Sequence, residues 1–112
     1  MEYKIIVSLF NRTLSLFKDD ELVKTYSVGI GKMLTSTPTA YYKINNKTSH
    51  SGGPYGVMWM GLSRPHYGIH GTQAPWTIGQ VVSDGCIYMH NQDVLELSKI
   101  VPIGTTVIIR HV

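Results

Sequence analysis

Hydrophobic and polar positions alternate through much of the first third of the chain. From Tyr3 to Phe10, Ile5, Val7 and Leu9 fall on one face, Asn11-Arg12 suits a two-residue turn, and Leu14 and Leu16 alternate with Ser15 and Phe17 from Thr13 to Lys18. Asp19-Asp20 predicts a second turn into a third strand, Glu21 to Val28, whose pattern in Leu22, Thr25 and Tyr26 is looser. Gly29-Ile30-Gly31 interrupts it, and a loop is expected as far as Pro38, before a strand at Ala40 to Ile44. Polar, glycine-bearing Asn45 to Pro54 reads as a loop and Gly56 to Leu62 as a strand. Pro65 and Gly68 flank a short extended piece ending near His70, Thr72 to Gln80 reads as a loop around Pro75-Trp76, and Ile87 to His90 alternates like a strand.

The single helical period lies near residues 92–101. Asn91 is of the N-cap type, Asp93 puts negative charge in the first turn, and Val94, Leu97 and Val101 fall at i, i+3 and i+7. Pro102 and Gly104 end it, and Thr105 to Arg110 predicts a closing β-branched strand. Many strands with one late helix predict a mainly β fold, a β-sandwich or open barrel. With no repeat, linker or low-complexity tract, residues 1–112 are expected to form one domain.

Composition narrows the function. At 112 residues, 43% hydrophobic and 15% charged, the chain can bury one usable core. The net charge of +3 is scattered from Lys4 to Arg110 without a stripe, which argues against nucleic acid, although a mildly positive protein suits an anionic polymer. No apolar run approaches the ~20 residues that span a bilayer, so no membrane insertion is expected. The start, Met1-Glu2-Tyr3-Lys4-Ile5, lacks a charged region followed by a long apolar one, so no secretory leader is expected there. One cysteine excludes an internal disulfide, and a lone thiol is by default a small buried hydrophobe.

Several motifs fail on inspection. Gly29-Ile30-Gly31-Lys32 is not a phosphate loop, because Tyr26 and Met33 stand where glycine and Ser/Thr are needed, and Leu34 breaks the dinucleotide fingerprint. Asn46-Lys47-Thr48 fits a glycosylation acceptor without other signs of a secretory pathway. Six of the seven carboxylates lie in the first hairpins or the helix, which disfavours a paired-carboxylate hydrolase. His66-x3-His70 and Cys86-x3-His90 offer four zinc ligands, yet a four-residue step on a strand separates side chains by roughly 13 Å. No metal site is expected unless crossing segments supply the ligands.

His70-Gly71-Thr72 and Ser83-Asp84-Gly85-Cys86-Ile87-Tyr88-Met89-His90-Asn91 carry the chemistry. A cysteine nucleophile needs a base or cation to populate thiolate, and amide donors for a tetrahedral intermediate. Gly85 lets the backbone turn freely, so the Gly85 and Cys86 N–H groups suit that donor pair, and Ser83 can bond within the turn. His70 is the candidate base, with the Gly71 carbonyl able to approach its other ring nitrogen. The alternative is a buried Cys86 beside a structural His70.

These residues strongly resemble the L,D-transpeptidase catalytic domain of the YkuD family, whose pattern is histidine followed by glycine or serine, then Ser/Thr-x-Gly-Cys about sixteen residues from that histidine. Here His70 and Cys86 are sixteen apart and Ser83-Asp84-Gly85-Cys86 fills the motif. Val28-Gly29-Ile30-Gly31-Lys32-Met33-Leu34-Thr35 with Thr37-Pro38-Thr39, Gly52-Gly53-Pro54, His66-Tyr67-Gly68-Ile69-His70-Gly71-Thr72 and Met89-His90-Asn91-Gln92-Asp93-Val94 look like members from spore-forming bacteria. The resemblance runs from Ile5 to Arg110. It implies a mixed β-sandwich that needs no cofactor and acts on peptidoglycan stem peptides in an extracytoplasmic or wall setting. By that resemblance Cys86 attacks the third, L-centred residue of a stem tetrapeptide and expels D-alanine. His70 manages protons, and the backbone at Gly85 and Cys86 holds the oxyanion. A neighbouring stem amine resolves the thioester to a 3→3 cross-link, or water makes the site a carboxypeptidase. Many members are acylated by carbapenems.

Two departures matter. Where close relatives in the family have arginine, and others asparagine, two residues after the cysteine, this chain has Tyr88, which shares a strand face with Cys86. A phenol offers one hydrogen bond and no cationic fork, so altered substrate handling is expected. Asp84 stands where the family often has histidine or lysine, and a negative charge close to Cys86 opposes thiolate formation. Ala40 replaces a glycine usual after the Thr-Pro pair, a minor backbone matter. Tyr88, Asp84, Trp59, Tyr67 and His66 are the candidate substrate contacts. His90 borders the motif, His50 sits in an expected loop, and Trp76 is a second candidate groove residue. The rival to an enzyme is a catalytically impaired peptidoglycan-binding relative.

Overall fold

The computed structural model describes residues 2–36, 39–49, 53, 55–82 and 86–112. Among these residues nine strands, β1 (Tyr3–Ser8), β2 (Thr13–Lys18), β3 (Glu21–Gly31), β4 (Ala40–Ser49), β5 (Met58–Leu62), β6 (Gly68–His70), β7 (Val81–Val82), β8 (Ile87–Met89) and β9 (Thr106–Arg110), accompany one helix, α1 (Asn91–Ile100). Short 3-10 turns span Lys32–Ser36 and Pro75–Thr77. The strands run β2-β1-β9-β4-β5-β6-β8-β3-β7, and β2 pairs back onto β3, so eight strands close a circuit with β7 outside it. Pairs β1–β9, β6–β8 and β3–β7 are parallel and the others antiparallel, the mixed pairing that the family resemblance implied.

Local chemistry explains most boundaries. Asp19 and Asp20 both take positive φ, 49° and 68°, and join Lys18 to its partner Glu21 as a two-residue turn matching strand twist. The first turn is longer than predicted. Ser8 pairs with Thr13, while Leu9 and Phe10 donate N–H bonds of 2.9 Å to the Arg110 and His111 carbonyls, so the chain follows β9 past the end of β2. The interruption expected at Gly29–Gly31 is absent: β3 continues, because a side chain at Gly29 would meet the Thr77 carbonyl oxygen at 2.5 Å and glycine admits that approach. Likewise the expected loop from Asn45 is strand as far as Ser49, its backbone paired to β5 across a register shift at Ile44/Asn46. The predicted Gly56–Leu62 strand begins only at Met58.

The core gathers Ile5, Val7, Leu14, Leu16, Val28, Ile30, Ile69, Ile87, Met89, Val107 and Ile109, and α1 adds Val94 and Leu97. Val101 follows as the helix C-cap and is also buried, so the predicted helical stripe faces the core. The helix spans 91–100 rather than 92–101, and its N-cap is His90, with no side-chain cap bond. Asn91 is the first helical residue, and its amide is engaged elsewhere (below). At the other end Lys47 donates to the Ser98 carbonyl at 2.7 Å and to that of Val101. No helix among the described residues is long and apolar enough to cross a membrane.

Candidate active site

Strands β5, β6 and β8 lie side by side. Trp59 pairs with His70, His70 with Tyr88, and Ile69 with Ile87. Alternation sends Met60, Ile69, Ile87 and Met89 into the core and turns Trp59, His70 and Tyr88 to the opposite face, while Cys86, just ahead of β8, is buried with the core residues. In the parallel β6–β8 pair, Cys86 lies one position before Ile87 and so beside Gly68, two residues along from His70, an offset of roughly 7 Å. Gly68 is small for a reason: a side chain there would meet the Trp59 ring at 2.4 Å. The thiol and imidazole therefore flank one bare backbone position.

Three rings bracket His70. Trp59 stacks on it at 5.4 Å and 17°, Tyr88 meets it edge-on at 4.6 Å, and Tyr55 does so at 5.2 Å. Tyr55 also leans on Trp59 at 4.7 Å. Both His70 and Cys86 are 1% exposed. The His70 Nδ1 lies 2.7 Å from the Gly71 carbonyl, whereas Nε2 is buried without a hydrogen-bond partner among the described residues. A carbonyl only accepts, so Nδ1 carries the proton in this contact and Nε2 is the bare nitrogen.

The thiol donates to the His66 carbonyl at 3.0 Å. Burial pushes the Cys86 thiol above its ordinary range, against a smaller opposing effect of the Gly68 N–H. Burial also holds the His70 imidazole below its ordinary range, against a smaller raising effect of the Gly71 carbonyl. At rest the pair is neutral thiol and neutral imidazole. His66 itself takes a positive φ of 70°, outside the usual range for a non-glycine residue, and that conformation presents its carbonyl at the sulfur.

Next to this pair runs a groove of about 340 Å³, lined by Asn46, Tyr55, Trp59, Pro65, His66 and Tyr67 among others. The candidate contacts thus fall into groups. Trp59 and Tyr88 touch His70, and the His66 carbonyl touches the Cys86 thiol. Tyr67 is largely core, packed edge-on to Tyr42 at 5.7 Å and under Arg64 at 4.5 Å, and borders the groove. Gly71 contributes its carbonyl. Ser83, Asp84 and Gly85 lie outside the described residues, as does His50. Trp76 is 73% exposed on its 3-10 turn, and no three His, Cys, Asp or Glu side chains converge as metal ligands among the described residues.

Two residues escaped the sequence. Tyr55 sits in a glycine-bearing segment whose only signal is one aromatic among turn formers. Asn91 looks like a helix cap, but its Oδ1 accepts from the Thr72 N–H at 3.2 Å and the Val57 N–H at 3.3 Å.

Comparison with known proteins gives the family and the fold. The YkuD family model, described as the L,D-transpeptidase catalytic domain, matches residues 2–109. YkuD of Bacillus licheniformis is 56% identical over 105 residues, covering 94% of this chain and 64% of the relative. YkuD of Bacillus subtilis is 51% identical over 109 residues, covering 97% and 66%, so this chain spans about two thirds of the length of these relatives. Both carry their activity as a provisional assignment. The catalytic domain of an E. faecium L,D-transpeptidase, solved by NMR, is similar with a TM-score of 0.77 at 26% identity, over 96% of both chains. An L,D-transpeptidase from Mycobacterium smegmatis reaches a TM-score of 0.82 at 16% identity over 97% of this chain and 58% of that one, a likeness of fold.

Proposed function

The chain belongs to the YkuD family of L,D-transpeptidase catalytic domains, and from that premise we propose that it is a cysteine acyltransferase acting on peptidoglycan stem peptides. One observation carries the proposal: a buried imidazole, with Nδ1 tied to the Gly71 carbonyl, leaves Nε2 without a partner among the described residues, on the strand whose Gly68 and preceding His66 carbonyl meet the Cys86 thiol. A buried polar atom without a partner is costly, and a proton acceptor awaiting a thiol or a substrate accounts for it.

In the reaction the S–H proton leaves the His66 carbonyl for His70 Nε2, and the sulfur attacks the carbonyl carbon of the third, L-centred stem residue. Negative charge gathers on the carbonyl oxygen, and the motif assigns its stabilisation to the Gly85 and Cys86 amides. Collapse breaks the bond to D-alanine, whose leaving amine takes the proton back from the imidazolium, and a thioester remains. An amine from a neighbouring stem, deprotonated by Nε2, then attacks the thioester. The C–S bond breaks, the sulfur recovers the proton, and a 3→3 cross-link results. Water in place of the amine gives L,D-carboxypeptidase hydrolysis.

Cys86 and His70 are each 1% exposed, the burial that the structural alternative also expects, so the unpartnered Nε2 and not dryness separates the two readings. The groove lined by Trp59, Tyr55 and His66 offers a course for an extended peptide beside the sulfur. An extracytoplasmic wall setting follows from the same substrate, and no cofactor is required by the steps written. The test is release of D-alanine from a purified disaccharide tetrapeptide. Wild type releases it and forms a dimer or a tripeptide, whereas Cys86→Ala releases none; equal release by both would refute the assignment.

A further inference from the structure

The plane of the peptide bond between Gly71 and Thr72 has two ends, and both are occupied. Its carbonyl oxygen takes the His70 Nδ1 contact at 2.7 Å, and its N–H donates to Asn91 Oδ1 at 3.2 Å. Oδ1 also accepts the Val57 N–H at 3.3 Å. Both partners are donors, so the oxygen end of the Asn91 amide must face them. The fit is close: a side chain at Gly56 or at Gly71 would stand 2.2 Å from this same oxygen, so both positions are bare where Asn91 enters. The Gly71 N–H is held in turn by the Met58 carbonyl at 3.1 Å. A peptide plane fixed at its N–H cannot swing its carbonyl away from the imidazole.

We propose that Asn91 is a positioning residue for His70, holding the 71–72 peptide so that Nδ1 carries the proton and Nε2 stays bare. Asn91 acts on the imidazole through one rigid amide, the 71–72 peptide. Without it the Gly71 carbonyl is free to turn, the preference for Nδ1–H weakens, and the Nε2–H form, which cannot take a proton from a thiol, becomes populated. The catalytic consequence rests on the proposed acyl transfer, but the tautomer does not. Because the bonds to Thr72 and Val57 use Asn91 as an acceptor, Asn91→Asp should replace it in them, the added negative charge being tolerated at the first residue of α1.

The test reads the imidazole nitrogens of 15N-histidine-labelled protein by long-range proton–nitrogen correlation, alongside Thr72 amide exchange. Wild type is expected to show His70 as a single Nδ1–H tautomer with a slowly exchanging Thr72 amide. In Asn91→Ala the single-tautomer signature is lost, Thr72 exchanges faster, and kcat falls with KM little changed. Asn91→Asp restores the wild-type signature. Should the alanine variant not fold, wild type and Asn91→Asp decide. A wild-type Nε2–H tautomer, an alanine variant with the wild-type signature, or an aspartate variant that loses it overturns the proposal. If the tautomer behaves as expected while wild type turns over no stem peptide, the positioning stands and the acyl transfer falls.

Discussion

Burial acts oppositely on Cys86 and His70, raising the thiol and lowering the imidazole, and this gives the folded state a pH signature. A histidine held neutral in the fold takes up a proton on unfolding, so stability is full above the ordinary value of about 6.5 and falls as pH drops below it toward the depressed folded value. A thiol held protonated in the fold ionises on unfolding, so stability falls as pH rises past about 8.5 toward the raised folded value. Urea unfolding across pH should therefore show acid-side loss that shrinks in His70→Gln and alkaline-side loss that shrinks in Cys86→Ala; unchanged limbs would contradict the burial argument. Tyr88 is the second residue-scale test. Its ring packs edge-on to His70, where an arginine would bring a cationic fork for a carboxylate. Tyr88→Arg is expected to lower KM for a stem peptide by about tenfold, the scale of one charge-assisted hydrogen bond at roughly 1.5 kcal/mol. Equal KM would make the position purely structural. The Cys86–His70 spacing was legible in the sequence because a motif writes both residues out. The Asn91 contact was not, because an asparagine ahead of a helical period has the same signature whether its oxygen caps that helix or reaches two distant amides.

Helix α1 is anchored at its far end by a side chain from β4. Lys47 reaches the carbonyls of Ser98 and Val101, the acceptors that a helix leaves unpaired at its C-terminus, and its cation matches the negative end of the helix dipole. Burial lowers the Lys47 ammonium from its ordinary range, as expected for a charge drawn partly out of water. Lys47→Met keeps the aliphatic stem and removes the donor. It should destabilise the protein by about 1–2 kcal/mol in thermal or urea unfolding, with faster amide exchange in the last helical turn; no change in either would show the contact to be incidental. This element also marks the limit of pattern reading. Residues 45–49 carry no alternation because they are mostly exposed, and their pairing to β5 uses backbone groups that the side chains do not advertise. The helix stripe, by contrast, was readable because Val94, Leu97 and Val101 bury against one core.

At the scale of the molecule, closing eight strands into a circuit brings β5, β6 and β8 together although their sequence order leaves β7 between β6 and β8. One face of these three strands joins the core and the other carries the imidazole and its aromatic rings, so the candidate site depends on the pairing of β6 with both β5 and β8. The alternation of strands gave the fold class from sequence, but the strand order depends on which parallel pairs form, and no local pattern encodes that. The central claim is that Cys86 becomes acylated with His70 as its base. Its most direct measurement is the intact mass of the protein after incubation with a carbapenem, followed by peptide mapping. Wild type should gain one adduct on the peptide carrying Cys86, His70→Gln should gain it far more slowly, and Cys86→Ala should gain none. An adduct that persists in Cys86→Ala, or its absence from folded wild type, would contradict the account.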